Sequence, residues 1–344
     1  MKKGLFLITL LALATTIKAQ DVSKLYNKVN PTVVTILVEE KEVVTDQATM
    51  TKAMVTTAGL GSGVVVSADG EIMTAAHVVE AAENVMVKFL NGDKVPAKVV
   101  TSNTDADVAL IKLIWLPKDM KIAPVGNSDD VKIGNQVIVI GAPLGLSHSL
   151  SVGHISGRMA NDDMSDNFSN TEFFQTDASI NHGNSGGPMF NMKGEVIGIV
   201  SFILSQSGGF EGIGFAVTSK VAKDELLGAQ PFWFGLTFEP VIGEVANIFN
   251  VPQDMGLLVQ KVATNSPADL AGIRPGYYNM DLEGNKVLVG GDIILEVGGF
   301  TMSPTLDRVA FRNSFANMKS GSQVSIKVLR DGNIVDLILI SPSK

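Results

Sequence analysis

Residues Gly183-Asn184-Ser185-Gly186-Gly187-Pro188 set a serine between glycines and close on a proline. Glycine removes the Cβ that would hold a substrate away from main-chain N–H groups, and it lets the backbone turn sharply. An acyl-transfer site needs an exposed hydroxyl oxygen and donors aimed at the oxyanion that forms when it attacks a carbonyl. The same stretch also fits a glycine-rich hairpin whose serine bonds its own loop. Its partners decide.

Two hydrolase designs can present such a serine. In the Gly-x-Ser-x-Gly elbow of an α/β-hydrolase, the histidine base follows the serine in the chain. His77, His148, His154 and His182 all precede Ser185, which excludes that order. A trypsin-like design runs His, Asp, Ser. His77 ends Thr74-Ala75-Ala76-His77, after a strand around Ile72 and Met73, and its small neighbours leave the imidazole room. Asp107 opens the apolar strand 108–113, with Asp105 as a competing acid. Singly, each residue also suits a structural role. In that order they set base and acid on one barrel, the nucleophile on the next, and the chemistry between them. An order of Asp69, His77 and Ser185 would suit a subtilisin-like site, but it demands an α/β sheet.

The surrounding sequence does not read as α/β. Short apolar runs at 33–38, 64–66, 85–89, 108–113, 137–140, 173–175 and 196–200 alternate with turn signals such as Asn91-Gly92-Asp93. Many evenly spaced strands with little helical periodicity predict all-β barrels, two in tandem. The polar, threonine-rich segment 39–59 is expected to be a long surface loop. A short helix is expected over 22–29 and another over 219–227, stopped by Gly228 and Pro231. Beyond it the composition shifts to a second domain, with strands at 257–262, 292–297, 324–330 and 335–340 and helices at 267–271 and 306–318.

Bulk properties bound the partners. At 344 residues there is room for two domains, each with its own core. The formal charge is −8 and becomes three units more negative if Lys2, Lys3 and Lys18 leave with a leader. An acidic surface argues against nucleic acid or anionic lipid as the main partner. With no cysteine, disulfides and thiol chemistry are excluded. Lys2-Lys3, the apolar run 5–14 and Ala19 form the pattern of a cleavable signal peptide over 1–19, implying export to a periplasm. Membrane anchoring is not expected, because the apolar run is short for a bilayer span.

Thr74-Ala75-Ala76-His77, Asp107-Val108-Ala109-Leu110 and Gln175-Thr176-Asp177-Ala178, followed by the Ser185 motif, resemble the HtrA (Deg) family of trypsin-fold serine proteases. The resemblance covers nearly all of the mature chain. It implies a mainly β protein: two six-stranded barrels over 20–228, then an α+β, peptide-binding PDZ domain over 229–344. It implies Ser185 as nucleophile, His77 as base, Asp107 as its orienter, and the N–H groups of Gly183 and Ser185 as the oxyanion hole. No cofactor or metal is expected. Ser179 stands where proteases that cut after Lys or Arg carry an acid. Ile180, Leu204 and Ile213 would line an apolar pocket for small or medium aliphatic side chains. Phe232-Trp233-Phe234-Gly235-Leu236 resembles the carboxylate-binding loop of such PDZ domains, with Phe234, Gly235 and Leu236 in contact with the peptide. The family further implies a homotrimer or larger assembly acting on unfolded polypeptides and peptide C-termini in protein quality control and stress. A peptide-binding chaperone or scaffold with little proteolysis is the alternative. His182 departs from the family, where proline is usual. The segment 277–289 is an insertion, and 159–171 is expected to relay peptide binding to the loop 181–184.

Overall fold

The computed structural model describes residues 21–45, 52–146, 148–159, 171–205, 209–227, 233–282, 285–316 and 318–342. The leader, Phe232 and most of 159–171 lie outside these. Helix α1 (Ser23–Val29) ends where Pro31 leads into a single 3₁₀ turn, as the helix expected there requires. Six strands follow: β1 (Val33–Thr45), β2 (Lys52–Val65), β3 (Glu71–Thr74), β4 (Asn84–Lys88), β5 (Lys94–Asn103) and β6 (Val108–Leu113). They close into a barrel of order β1-β2-β3-β6-β5-β4. A second barrel is built from β7 (Gln136–Gly141), β8 (Ser149–Met159), β9 (Phe173–Thr176), β10 (Pro188–Asn191), β11 (Val196–Ile203) and β12 (Gly214–Thr218). Between β3 and β4 runs α2 (Ala76–Val79), and after β12 comes α3 (Ser219–Leu226).

The segment 39–59 corrects the loop expected there. Strands β1 and β2 stay paired from Val33↔Val64 out to Thr45↔Lys52, so most of it is a two-stranded ribbon. Its threonines and valines are β-branched, favouring extended backbone.

Two barrel cores and a cluster between the barrels hold these strands. Ile36, Ile72, Val87 and Ile111 fill the first barrel. Val137, Ile155, Phe174 and Ile197 fill the second. Met73, Leu110, Ile138, Phe173, Phe190 and Phe215 join the two across the cleft. Phe202 stacks on Phe215 at 4.8 Å and meets Phe173 edge-on at 5.5 Å. Each large side chain withdrawn from water contributes roughly 1.5–3 kcal/mol, so the crevice rests on a floor that resists opening.

The C-terminal unit contains β13 (Leu236–Ile242), α4 (Glu244–Ile248), β14 (Met255–Val262), α5 (Pro267–Leu270), β15 (Tyr278–Leu282), β16 (Asn285–Val289), β17 (Ile293–Val297), β18 (Phe300–Thr301), α6 (Arg308–Ala316), β19 (Gln323–Arg330) and β20 (Asn333–Ile340). Its main sheet runs β13-β14-β17-β19-β20, leaving β13 at one edge. The insertion 277–289 is the β15–β16 hairpin. Gln260 anchors it, accepting from Leu288 N at 2.6 Å and donating to Leu288 O at 3.1 Å. No described helix is long and apolar enough to cross a membrane.

Asp292, fully buried, holds the rear of this unit. It accepts from Arg330 Nε and Nη2, both at 2.7 Å, and from Arg274 N at 2.9 Å. Those hydrogen bonds hold the Arg330 guanidinium above its ordinary pKa. Asp292→Asn should destabilise this unit by about 3 kcal/mol, the low end for a broken buried pair, because Arg330 keeps an edge in water. Thermal unfolding of the variant checks it; a change in Tm under one degree would contradict it.

Candidate active site

Strand β3 delivers the chain to the cleft at Thr74, and α2 turns it back. Ala75, Ala76 and Val79 are fully buried and Val78 nearly so, which leaves His77 to project with its side chain half-exposed. Asp107 ends the turn before β6 with φ 51°, a left-handed conformation that Asp tolerates better than most side chains. Both carboxylate oxygens reach His77 Nδ1, at 2.9 and 3.0 Å, and Oδ1 also accepts from the His77 backbone N–H at 3.2 Å. A carboxylate can only accept, so Nδ1 carries the proton and Nε2 keeps its lone pair for a substrate proton. Asp105 has its carbonyl bonded to Thr171 Oγ1, and Asp107 is the acid on the imidazole.

Burial pulls the His77 pKa down. The Asp107 hydrogen bond and charge, with the Glu40 charge behind them, outweigh it, so the imidazole titrates above its ordinary value of 6.5.

Ser185 follows a tight turn. Asn184 N–H closes it onto Asn181 O at 2.9 Å, with Gly183 at φ 100° in the third position, the pattern of a type II turn. The N–H groups of Gly183 and Ser185 have no acceptor among the described residues. Ser185 Oγ donates to Ser201 O at 3.3 Å and makes no hydrogen bond to His77. Ser201 thus joins both halves of the site, since its own hydroxyl makes a short bond to Asp107 Oδ2. Nothing in the sequence around Ser201 marks it; only the fold brings the end of β11 across the cleft to Asp107.

The remaining histidines stand apart. His148 Nδ1 pairs with Asn30 Oδ1, His154 lies beside Asp177, and His182 is exposed on the turn before Gly183. Of the pocket residues, Ile180 is buried in the second barrel's core, Ile213 packs partly against the cluster between barrels, and Leu204 is 61% exposed. A Cβ on Gly214 would lie 2.6 Å from Ile180 Cδ1, so glycine there lets the Ile180 side chain pack directly against the backbone.

Phe234, Gly235 and Leu236 line a cavity of about 400 Å³ together with Phe238, Phe311 and Phe315. Gly235 has φ 77°, and a Cβ there would meet Ser266 Cβ at 2.1 Å, so only glycine fits. The far wall comes from the first barrel: Glu80, three residues past His77, and residues 102–105, the end of β5 and the start of the turn after it. Trp233 Nε1 donates to Glu80 O at 3.1 Å, and Lys261 pairs with Glu40 at 2.7 Å.

Burial, with the charges of Asp107 and Asp105, pushes the Glu80 carboxyl up to about 8. It is therefore neutral at pH 7. A carboxyl whose folded pKa is raised binds its proton longer in the native state, so it removes stability as pH climbs from its ordinary value of about 4.5 towards 8. The Tm advantage of Glu80→Gln over the wild type should accordingly grow between pH 5 and pH 8. A constant difference across that range would contradict it.

Two families match in tandem: the trypsin-like peptidase domain over residues 61–199 and the PDZ domain over 212–339. The chain is 35% identical over 280 residues to a probable periplasmic serine endoprotease DegP-like of Ectopseudomonas mendocina (strain ymp), covering 80% of this chain and 54% of that protein. It is 38% identical over 283 residues to the protein of the same name from Halomonas elongata, covering 79% and 54%. The chain belongs to the HtrA/DegP-like trypsin-fold serine proteases with a PDZ domain. It spans about half the length of the curated relatives it matches. Among solved structures it is similar to the HtrA-type protease AlgW with decapeptide, at TM-score 0.53 and 26% identity over 94% of this chain and 99% of that one. AlgW with tripeptide is similar at TM-score 0.53 and 28% identity, with the same coverage.

Proposed function

We propose that this HtrA-family chain is an exported serine endopeptidase that cuts unfolded polypeptides in a periplasm. The observation that carries the reading is the tautomer: Asp107 occupies Nδ1 of His77, which leaves Nε2 basic beside a cleft holding Ser185 and two N–H donors with no acceptor among the described residues. In the reaction Ser185 Oγ gives up its contact with Ser201 O and turns towards Nε2 as it attacks the scissile carbonyl. His77 takes the proton and returns it to the leaving amine, while Asp107 stabilises the imidazolium. The Gly183 and Ser185 N–H groups receive the oxyanion. Ordering of such a contact on substrate binding is common, because catalytic hydrogen bonds are often loose in the free enzyme.

Substrate choice belongs to the same reading. Ile180, Leu204 and Ile213 offer only apolar contacts, so Val, Ala, Ile or Thr would precede the cut, with loose discrimination of about 1–3 kcal/mol per methylene. The edge strand β13 and the Gly235 loop would bind a peptide C-terminus by strand addition. The domains would divide near residue 228, after removal of 1–19. Trimeric assembly and a role in envelope stress are supported by the family resemblance alone, and the relatives' names support the periplasm.

Digestion of unfolded casein followed by mass spectrometry of the peptides is the test. Cuts after small and medium aliphatic residues are expected. Cuts clustered after Lys or Arg would contradict the pocket, and intact casein would favour a chaperone.

A further inference from the structure

Ser62 lies on β2 of the first barrel, far from the nucleophile in sequence, and is fully buried. Its backbone N–H donates to Ser185 O at 2.8 Å, and its carbonyl accepts from Thr74 Oγ1 at 2.8 Å. Its side chain makes two further bonds. The hydroxyl oxygen accepts from Ala142 N–H at 2.9 Å and donates to Gly183 O at 2.6 Å. An amide N–H can only donate, so the hydroxyl proton is left for the Gly183 carbonyl, and its direction is settled by its surroundings. The fit is close: a Cβ on Gly186 would lie 2.1 Å from Thr74 Oγ1 and 2.3 Å from Ser62 O.

The two peptide units around Gly183 differ in how they are held. The Gly183–Asn184 unit is fastened at both ends, its carbonyl by Ser62 Oγ at 2.6 Å with a longer contact from Ala142 N–H at 3.4 Å, and its N–H by Asn181 O. The His182–Gly183 unit, which carries one of the two candidate oxyanion donors, has neither end bonded among the described residues. Glycine at 183 offers no steric resistance to rotation. The His182–Gly183 unit is the middle of the turn closed by Asn184 N–H and Asn181 O, so the bonds that anchor the turn's far end, Ser62 Oγ to Gly183 O foremost, restrain the direction of the Gly183 N–H.

We propose that Ser62 is a positioning residue of the oxyanion hole: its hydroxyl, reaching across from the first barrel, fastens the Gly183 carbonyl and so aims the Gly183 N–H. The proposal rests on the endopeptidase reading above. In Ser62→Ala the backbone bond from residue 62 to Ser185 O stays, so Ser185 keeps its place and only the Gly183 half of the hole is loosened.

The test compares wild type, Ser62→Ala and Ser62→Thr on a fluorogenic peptide with Val before the cut. A peptidyl aldehyde, which forms a hemiacetal with its oxygen in the hole, is measured beside the matching peptidyl alcohol, which cannot. Deleting an oxyanion donor costs about 10²–10³ in kcat; here the donor is displaced rather than deleted, so a loss of about 10–100-fold is expected. KM should stay within about twofold, and the acid limb of the pH profile should not move, because the His77–Asp107 pair is untouched. Aldehyde affinity should fall by the same factor as kcat, alcohol affinity should hold, and Ser62→Thr should restore most of the rate. A kcat in Ser62→Ala within about twofold of wild type, or equal losses for aldehyde and alcohol, would overturn it. If Ser62→Ala lacks a cooperative thermal transition, Ser62→Cys, with its weaker donor, replaces it. A rate below that of Ser62→Thr sustains the proposal, and an equal rate overturns it. A wild type inert towards both casein and the peptide removes the endopeptidase reading itself, a result distinct from active wild type with indifferent variants.

Discussion

Ser185→Ala is expected to lower kcat on an unfolded substrate by about 10⁶-fold, leaving only what the oxyanion donors and binding contribute over water. The magnitude follows from the division of labour in the cleft. His77 and Asp107 move and stabilise a proton but form no bond to carbon, so without the hydroxyl they have nothing to activate. The alanine chain should fold normally, because the Ser185 side chain makes one hydrogen bond, to Ser201 O at 3.3 Å, whereas its backbone carbonyl is held by Ser62 N–H. Casein hydrolysis and Tm measured on one preparation separate the two effects. Equal hydrolysis by variant and wild type would point to another nucleophile or to a contaminant.

Asp107→Asn should cost on the order of 10⁴-fold in kcat with little change in KM. An amide placed where Asp107 sits can present its NH₂ to Nδ1, which favours the tautomer with its proton on Nε2 and leaves no base facing Ser185. The charge that supports the imidazolium goes with it. Ser201 loses a charged acceptor for its hydroxyl as well, so part of the deficit arises from a contact that neither His77 nor Ser185 makes directly. Because Asp107 raises the His77 pKa, the residual activity should also carry an acid limb at lower pH than wild type. An unshifted limb would mean that Asp107 does not control the base.

The site and the scaffold differ in how far they could be read from the residues. His77, Asp107 and Ser185 stand out because small neighbours surround them and because their order excludes one competing fold. Ser201 and Ser62 do not: they act through bonds to residues 94 and 121 positions away, and nothing local distinguishes a serine that will make such a bond. Strand β5, with its lysines and proline, and β8, with two glycines, carry polar faces that blur their apolar alternation. The β1–β2 ribbon was hidden in the same way, since a two-stranded extension exposes both faces and has no core-facing pattern to show. The helix carrying His77 is only one turn long, too short for helical periodicity. Gly235 was legible in kind, a glycine before a strand. The steric reason for it, Ser266 Cβ at 2.1 Å, lies on a distant turn.

The central claim is that Ser185 is a nucleophile driven by the neutral form of His77. Labelling with a peptidyl diphenyl phosphonate bearing Val at the reactive end, followed across pH by mass spectrometry, tests it directly. The account predicts one adduct per chain, on Ser185, formed at a rate that falls as pH drops through a midpoint above 6.5 and is abolished in His77→Ala. An adduct on any other residue, or labelling of Ser185 that continues unchanged without His77, would contradict it.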